Sequence, residues 1–307
     1  MASFKSQVMY AMARNRHLFR GQLKRPVWDM NPRLVTEFRQ MCEDGAAMSG
    51  KLPETVTVEA LTVEGMKAEW IRPAGGQNGA AICFVHGGGY ISGSCSDHRH
   101  HVAKVVLASG VPALQFEYRL APEHPYPAAF EDGMAAYRWM LAQGIPSERL
   151  VIAGDSAGAG LTLALLLGIR DQGLPLPAAA VASSPWTDLK LTGASYQTNR
   201  YKCLSPLDMA VACSRHYRGE HDPAEPYLSP LYGDLHGLPP LLILAGDDET
   251  MRDDAVSFAA KARAAGVDVT LRVAQGMGHC YPFMAPLFPE ATAAMQEIGA
   301  FIAAHTK

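Results

Sequence analysis

Three places in the chain carry residue types that could do chemistry together. Ser156 stands in Gly154-Asp155-Ser156-Ala157-Gly158. Three adjacent carboxylates follow at Asp247, Asp248 and Glu249. His279 comes last, in Gly276-Met277-Gly278-His279. A serine hydroxyl is a weak nucleophile by itself. A histidine within reach can take its proton, and a carboxylate can orient that histidine and stabilise its cation. A fourth stretch, His86-Gly87-Gly88-Gly89-Tyr90, has three consecutive glycines. Three glycines cost backbone entropy, so something must need them. Their bare N–H groups could bind developing negative charge.

These residues need elements to position them. A G-x-S-x-G pattern alone is a weak signal, because small residues are common at strand–helix turns. Here Leu150 to Ala153 reads as a buried strand and Ala159 to Ile169 as a buried helix. The serine then lies on a sharp strand-to-helix turn, at the positive end of a helix dipole. Gly154 and Gly158 let strand and helix approach closely. Ala80 to Val85 is another apolar strand, and it runs straight into His86. Leu241 to Ala245 precedes the carboxylates, and Val267 to Val273 precedes His279. Parallel sheets gather ligands at the carboxyl ends of their strands, where all four stretches fall.

The remaining chain supplies a regular strand–helix rhythm. Val56 to Val63 and Met66 to Ile71 predict a hairpin turning at Glu64-Gly65. Helices are predicted over Asp97 to Ala108, Phe130 to Ala142, Arg252 to Ala265 and Glu290 to Ala304, and strands over Ala113 to Tyr118 and Ala178 to Ser183. The pattern is α/β: a mostly parallel sheet covered on both faces. Two helices, over 4–24 and 32–48, precede any strand. From Leu189 to about Pro226 the rhythm stops, leaving one good helix, Pro206 to Tyr217, in a long loop-rich piece. An interruption of that length is usually functional.

Composition excludes several classes. The 307 residues are 48% hydrophobic and 19% charged, with a net charge of -3. That is globular composition, with no basic excess to suggest nucleic acid. The six cysteines, Cys42, Cys83, Cys95, Cys203, Cys213 and Cys280, form no C-x-x-C pair. They read as free thiols in a reducing compartment, the cytoplasm, and zinc spacing is absent. No run approaches the ~18 apolar residues of a membrane span. Residues 1–28 are basic, with Lys5, Arg14, Arg16, Arg20, Lys24 and Arg25 and no acid before Asp29. Val8, Met12, Phe19 and Leu23 share a helical face there, which predicts a helix packed on the body, with a targeting or membrane-surface role as the alternative. His98, His100 and His101 sit at a predicted helix start. A metal site is conceivable, and a solvated helix end is the simpler reading.

Position alone does not choose among Asp247, Asp248 and Glu249, since carboxylates after a strand also cap helices. Asp253 and Asp254 favour the dipole of the next helix.

The chain resembles the hormone-sensitive lipase-like (family IV) carboxylesterases of the α/β-hydrolase superfamily. The resemblance rests on His86 to Gly89, Gly154 to Gly158, Tyr118-Arg119-Leu120-Ala121-Pro122-Glu123-His124, Ser184-Pro185-Trp186-Thr187-Asp188-Leu189, Tyr227-Leu228-Ser229-Pro230 and His279. The order serine, acid, histidine agrees. It covers essentially everything beyond the N-terminal helices and implies an α/β-hydrolase fold with about eight strands. It implies a catalytic domain over 51–307, capped by helices from 1–50 and by an insertion at about 187–226. It implies an oxyanion hole at Gly88, Gly89 and Ala157, and a triad of Ser156, His279 and an acid. Aligning Met251-Arg252-Asp253 with the family pattern puts Glu249 at that position, with Asp248 second. His86 then braces the glycine loop.

The resemblance thus implies a serine carboxylesterase acting on short- to medium-chain esters through an acyl-enzyme, with no metal or cofactor. Its partner is a small-molecule ester; an edge-strand homodimer is left open. A lactone hydrolase or deacetylase would carry the same residues. A non-catalytic receptor of this fold arises when the histidine is lost, and His279 is present. Met9, Met12, Met209, Tyr201 and Phe283 are candidates to line an acyl pocket, against ordinary core packing.

Overall fold

Continuous apolar runs place the strands at the centre of the molecule, because a strand buried on both faces has no polar side to show. The computed structural model describes residues 2–15, 27–29, 31–75 and 79–307. Helix α1 spans Phe4–Arg14 and α2 spans Pro32–Ala47. Strands β1 (Val56–Val63) and β2 (Met66–Pro73) form the expected hairpin, with positive φ at Glu64 and Gly65. Then follow β3 (Ala81–Val85), α3 (Cys95–Ser109), β4 (Ala113–Phe116), α4 (Ala128–Ala142), β5 (Leu150–Asp155) and α5 (Ser156–Asp171). The chain continues through β6 (Ala179–Ser183), α6 (Leu207–Arg218), β7 (Leu241–Gly246), α7 (Arg252–Ala264), β8 (Val269–Ala274) and α8 (Pro289–His305).

The eight strands form one sheet in the order β1-β2-β4-β3-β5-β6-β7-β8. β1, β2 and β4 pair antiparallel in sequence, and every pair from β4 to β8 is parallel. Alternate strand residues feed two cores. Cys83 and Val85 pack with α4, α5 and α7, while Ile82 and Phe84 pack with α3 and α8. All six cysteines are free thiols. Among the described residues, no helix is long and apolar enough to cross a membrane.

Two expectations need correction. Helix α1 does not pack through Val8 and Met12, which are 41% and 57% exposed. It buries Ser6 and Tyr10 instead, because Ser3 and Ser6 bind Glu290 of α8 and Tyr10 packs against Phe288. Phe19 and Leu23, and the rest of the predicted helix beyond Asn15, lie outside the described residues. The start of α3 is only partly solvated. Ser94 and Asp97 close a capping box there, and His98 turns inward and is buried.

Candidate active site

Ser156 opens α5 directly after β5, with φ +53°. A residue with a Cβ held there costs about 1–3 kcal/mol, and such strain clusters at functional sites. Gly158 permits the turn. A Cβ at Gly158 would come within 2.2 Å of the Val85 carbonyl oxygen, so the end of β3 rests on the first turn of α5. That contact brings the His86–Gly89 loop beside Ser156.

His279 lies in the loop after β8. Its Nε2 is 2.7 Å from Ser156 Oγ and its Nδ1 is 2.6 Å from Glu249 Oε2. The next residue, Cys280, has φ +55°, and its N–H donates to Ser184 Oγ at 2.9 Å, which anchors the loop after β6 to it. Tyr10 of α1 leaves no room for a side chain at Gly278, where a Cβ would be 2.6 Å from its ring.

Glu249 is fully buried, and its Oε1 accepts the Gly246 N–H at 2.8 Å. Asp248 turns the other way, to Arg14 at 2.6 Å and Lys202 at 3.2 Å. Asp247 faces Arg252 at 3.4 Å. Of the three adjacent carboxylates, Glu249 is thus the one that meets His279. Asn199, which the sequence reading passed over, donates through Nδ2 to the carbonyls of Asp247 and Glu249, each at 2.9 Å. No local pattern marks it; an asparagine in a long loop is ordinary.

Gly88 and Gly89 both take positive φ, +111° and +65°. The Gly88 carbonyl accepts from Ile91 and Ser92 at 3.2 and 3.0 Å, closing a tight turn. Ala157 is the second residue of α5, where N–H groups have no acceptor inside the helix. His86 stands behind the loop: its Nδ1 is 2.8 Å from the Gly87 carbonyl and its ring stacks on Tyr118 at 4.0 Å. Burial, helped by the charge on His98, pushes His86 down to about 4, so its ring is neutral at neutral pH.

The segments expected to cap the site touch these parts. In α6, Cys213 meets Gly89 so closely that a Cβ there would be 2.8 Å from its Sγ, and Tyr217 stacks on Tyr90 at 3.7 Å. Arg39 of α2 pairs with Glu123 and donates to the carbonyls of Ile91 and Ala121 at 2.6 and 2.9 Å. Asp254 of α7 accepts the Thr187 and Asp188 N–H groups, each at 2.9 Å. It is therefore more than a dipole residue. Of the suggested lining residues, Met12 and Tyr201 are exposed, and Phe283 is buried beneath the sheet against Phe84. Met9 and Met209 are half-buried against the two cores. Among the described residues, no group of three or more His, Cys, Asp or Glu side chains is placed to hold a metal ion.

Comparison with known proteins agrees with this architecture. The alpha/beta hydrolase fold family matches residues 82–283, about two thirds of the chain. The chain belongs to that alpha/beta-hydrolase family. An acetyl-hydrolase of Streptomyces hygroscopicus is 44% identical to this hydrolase over 80% of the chain and 82% of its own length. The crystal structure of EstE5 soaked with p-nitrophenyl butyrate superposes with a TM-score of 0.91 at 40% identity, covering 99% of both chains. An esterase from the bacterial hormone-sensitive lipase family gives a TM-score of 0.90 at 38% identity over 100% of both.

Proposed function

We propose that this carboxylic ester hydrolase cleaves short- to medium-chain esters, with Ser156 as nucleophile, His279 as base and Glu249 as the orienting acid. One observation carries the assignment: an unbroken hydrogen-bonded line from Ser156 Oγ through His279 to Glu249, at 2.7 and 2.6 Å. Ser156 attacks the ester carbonyl as His279 Nε2 takes its proton. Glu249 holds Nδ1–H and stabilises the imidazolium. The N–H groups of Gly88, Gly89 and Ala157 receive the oxyanion, each such donor being worth about 10²–10³ in rate. His279 then protonates the leaving alcohol, and water repeats the steps on the acyl-enzyme.

Helices from 1–50 and the segment 187–226 form the cap over this site. Cys213 and Tyr217 against the glycine loop support that placing. The acetyl-hydrolase relative and the soaked butyrate ester favour short acyl chains. The six free thiols suit the cytoplasm. The test is a p-nitrophenyl ester series from acetate to palmitate, with wild type and Ser156→Ala, alongside labelling by a serine-directed phosphonate. Activity falling off beyond about octanoate, with labelling lost in Ser156→Ala, is the expected result. Labelling that survives Ser156→Ala would sink it.

A further inference from the structure

A buried cluster of charge lies where β5, α3 and the glycine loop meet. Asp155 ends β5, one residue before Ser156. Asp97 and His98 open α3, and His86 and Gly87 follow β3. His98 is 8% exposed; its Nδ1 pairs with Asp97 Oδ1, and its Nε2 faces Asp155 Oδ1 at 3.5 Å. Asp155 in turn supports the loop. Its Oδ1 accepts the Gly87 N–H at 3.1 Å, and a Cβ on Gly87 would strike its Oδ2 at 2.4 Å. Nε2 of His98 is 3.2 Å from the Gly87 nitrogen; once protonated, it leaves that N–H to Asp155 alone.

This support places a buried negative charge beside the reacting serine. The proposed reaction builds negative charge on the oxyanion and positive charge on His279. An unbalanced Asp155 would oppose the first and trap the proton on the second. Asp97 has support of its own, since its carboxylate accepts the Ser94 N–H at 3.0 Å in the capping box. The one charge of His98 is thus shared between Asp97 and Asp155 and offsets part of each.

None of the other titratable groups around the pair places a cation against Asp155. His86, from the loop after β3, lies 5.3 Å from His98 ring to ring, and His101, one turn along α3, lies 5.4 Å away. Burial and the His98 charge hold both down to about 4. Cys280 has its Sγ 3.9 Å from Asp155 Oδ2, and burial pushes its thiol well up, as it does the Tyr118 hydroxyl after β4. Lys104, further along α3, donates to the Phe283 carbonyl at 2.6 Å. Burial opposes a charge on His98, but Asp155 and then Asp97 override it and push His98 up to about 10.

We propose that His98 is a positioning residue for ester hydrolysis: as a buried cation it offsets the Asp155 carboxylate, so that Asp155 holds the glycine loop while opposing the oxyanion less and retaining the proton on His279 less. The proposal rests on the roles given above to Ser156, His279 and the glycine loop.

The test is kcat, KM and the pH–rate profile on p-nitrophenyl acetate for wild type, His98→Asn, Asp155→Asn and the double variant. Asparagine at 155 keeps an oxygen for the Gly87 N–H while removing the charge. His98→Asn is expected to lower kcat about tenfold with KM little changed, and to move the acidic limb of kcat/KM up by about one pH unit. Asp155→Asn should move that limb down. The double variant should return it to the wild-type position and recover most of the kcat lost in His98→Asn. Limbs unmoved in both single variants, or a double variant no faster than His98→Asn, would overturn the proposal. Should His98→Asn fail to fold, the limb in Asp155→Asn and in the double variant decides. A wild type that hydrolyses no ester and takes no phosphonate label would overturn the reading of Ser156 and this inference with it; an active wild type with unmoved limbs overturns this inference alone.

Discussion

Arg14 Nη2 lies 2.6 Å from Asp248 Oδ2, an ion pair that joins the last turn of α1 to the loop carrying Glu249. Adjacent carboxylates thus face opposite ways, Asp248 toward two cations and Glu249 toward His279. Replacing them should have unequal effects. Glu249→Ala is expected to lower kcat/KM on p-nitrophenyl acetate by about 10³–10⁴. Asp248→Ala should cost less than about fivefold and at most about 1 kcal/mol of stability, because its ion pairs are partly solvated. Equal losses would take the acid's role away from Glu249.

The glycine loop should tolerate no side chain at its turn. Gly88 has φ +111°, and a Cβ there would meet the Ser92 carbonyl oxygen at 2.2 Å. Gly88→Ala must therefore move backbone, at a cost of about 1–3 kcal/mol or more, and displace an N–H assigned to the oxyanion. At Gly110 φ is +72°, and a Cβ there would meet no atom within 4 Å. Gly110→Ala thus carries backbone strain of about 1 kcal/mol without collision, and activity should be kept. Thermal melts and ester assays on both proteins compare the two costs.

What could be read from the sequence was local. The strand–turn–helix around Ser156 depends on neighbours within a few residues, so its small residues and apolar runs announce it. The same holds for the hairpin at Glu64-Gly65 and for the histidine after β8. What depended on distant partners was hidden. Helix α1 offered Val8 and Met12 as its apolar stripe, yet a serine-lined face won because Glu290, far along the chain, accepts from Ser3 and Ser6. His98 looked like a solvated helix-end histidine because its second partner, Asp155, arrives only when β5 pairs with β3. Asn199 likewise acquires its place only when its loop crosses the end of β7.

The buried histidines predict a stability maximum near neutral pH. His86 and His101 are held down to about 4 by burial and by the His98 charge. An unfolded histidine titrates near 6.5. As pH falls from about 6.5 to 4, the unfolded chain takes up protons that the folded protein refuses, so this stabilisation is full above 6.5 and is lost toward acid. His98 runs the opposite way. Held at about 10, it keeps a proton that the unfolded chain releases, so its contribution is full below about 6.5 and is lost as pH rises toward 10. The shifts cap His86 and His101 at about 3 kcal/mol each and His98 at about 5 kcal/mol. Urea midpoints should fall on both sides of neutrality, and His98→Asn should flatten the alkaline fall. An unchanged alkaline slope in that variant would place the charge elsewhere.

Asp254 ties α7 to the loop after β6. Beyond the two backbone N–H groups, the Tyr196 hydroxyl donates to its carboxylate at 3.1 Å. Burial, then the Asp188 charge, pushes Asp254 well above the usual carboxylate range. A raised carboxyl contributes most when protonated and loses that contribution as pH rises through its folded value. Asparagine mimics the protonated form. Asp254→Asn should stay within about 1 kcal/mol of wild type, whereas Asp254→Ala, which strands the N–H groups of Thr187 and Asp188, should cost about 2–4 kcal/mol. Denaturant unfolding of the two variants checks this, and an alanine variant as stable as the asparagine one would show that these N–H groups find another acceptor.

The strain at Ser156 makes the last expectation. Its φ of +53° is forced on a residue with a Cβ because the strand–helix turn must lift the hydroxyl to His279 Nε2. Glycine adopts that backbone without steric strain, at a smaller cost in chain entropy. Ser156→Gly should therefore lose essentially all activity, about 10⁵–10⁶ in kcat, while gaining about 1 kcal/mol in stability. Ser156→Ala removes the same hydroxyl but keeps the Cβ, so it should lose as much activity without the full gain. Parallel melts of the three proteins separate strain from chemistry: a glycine variant no more stable than the alanine one would mean that the surrounding packing, and not the serine, sets the energy of this turn.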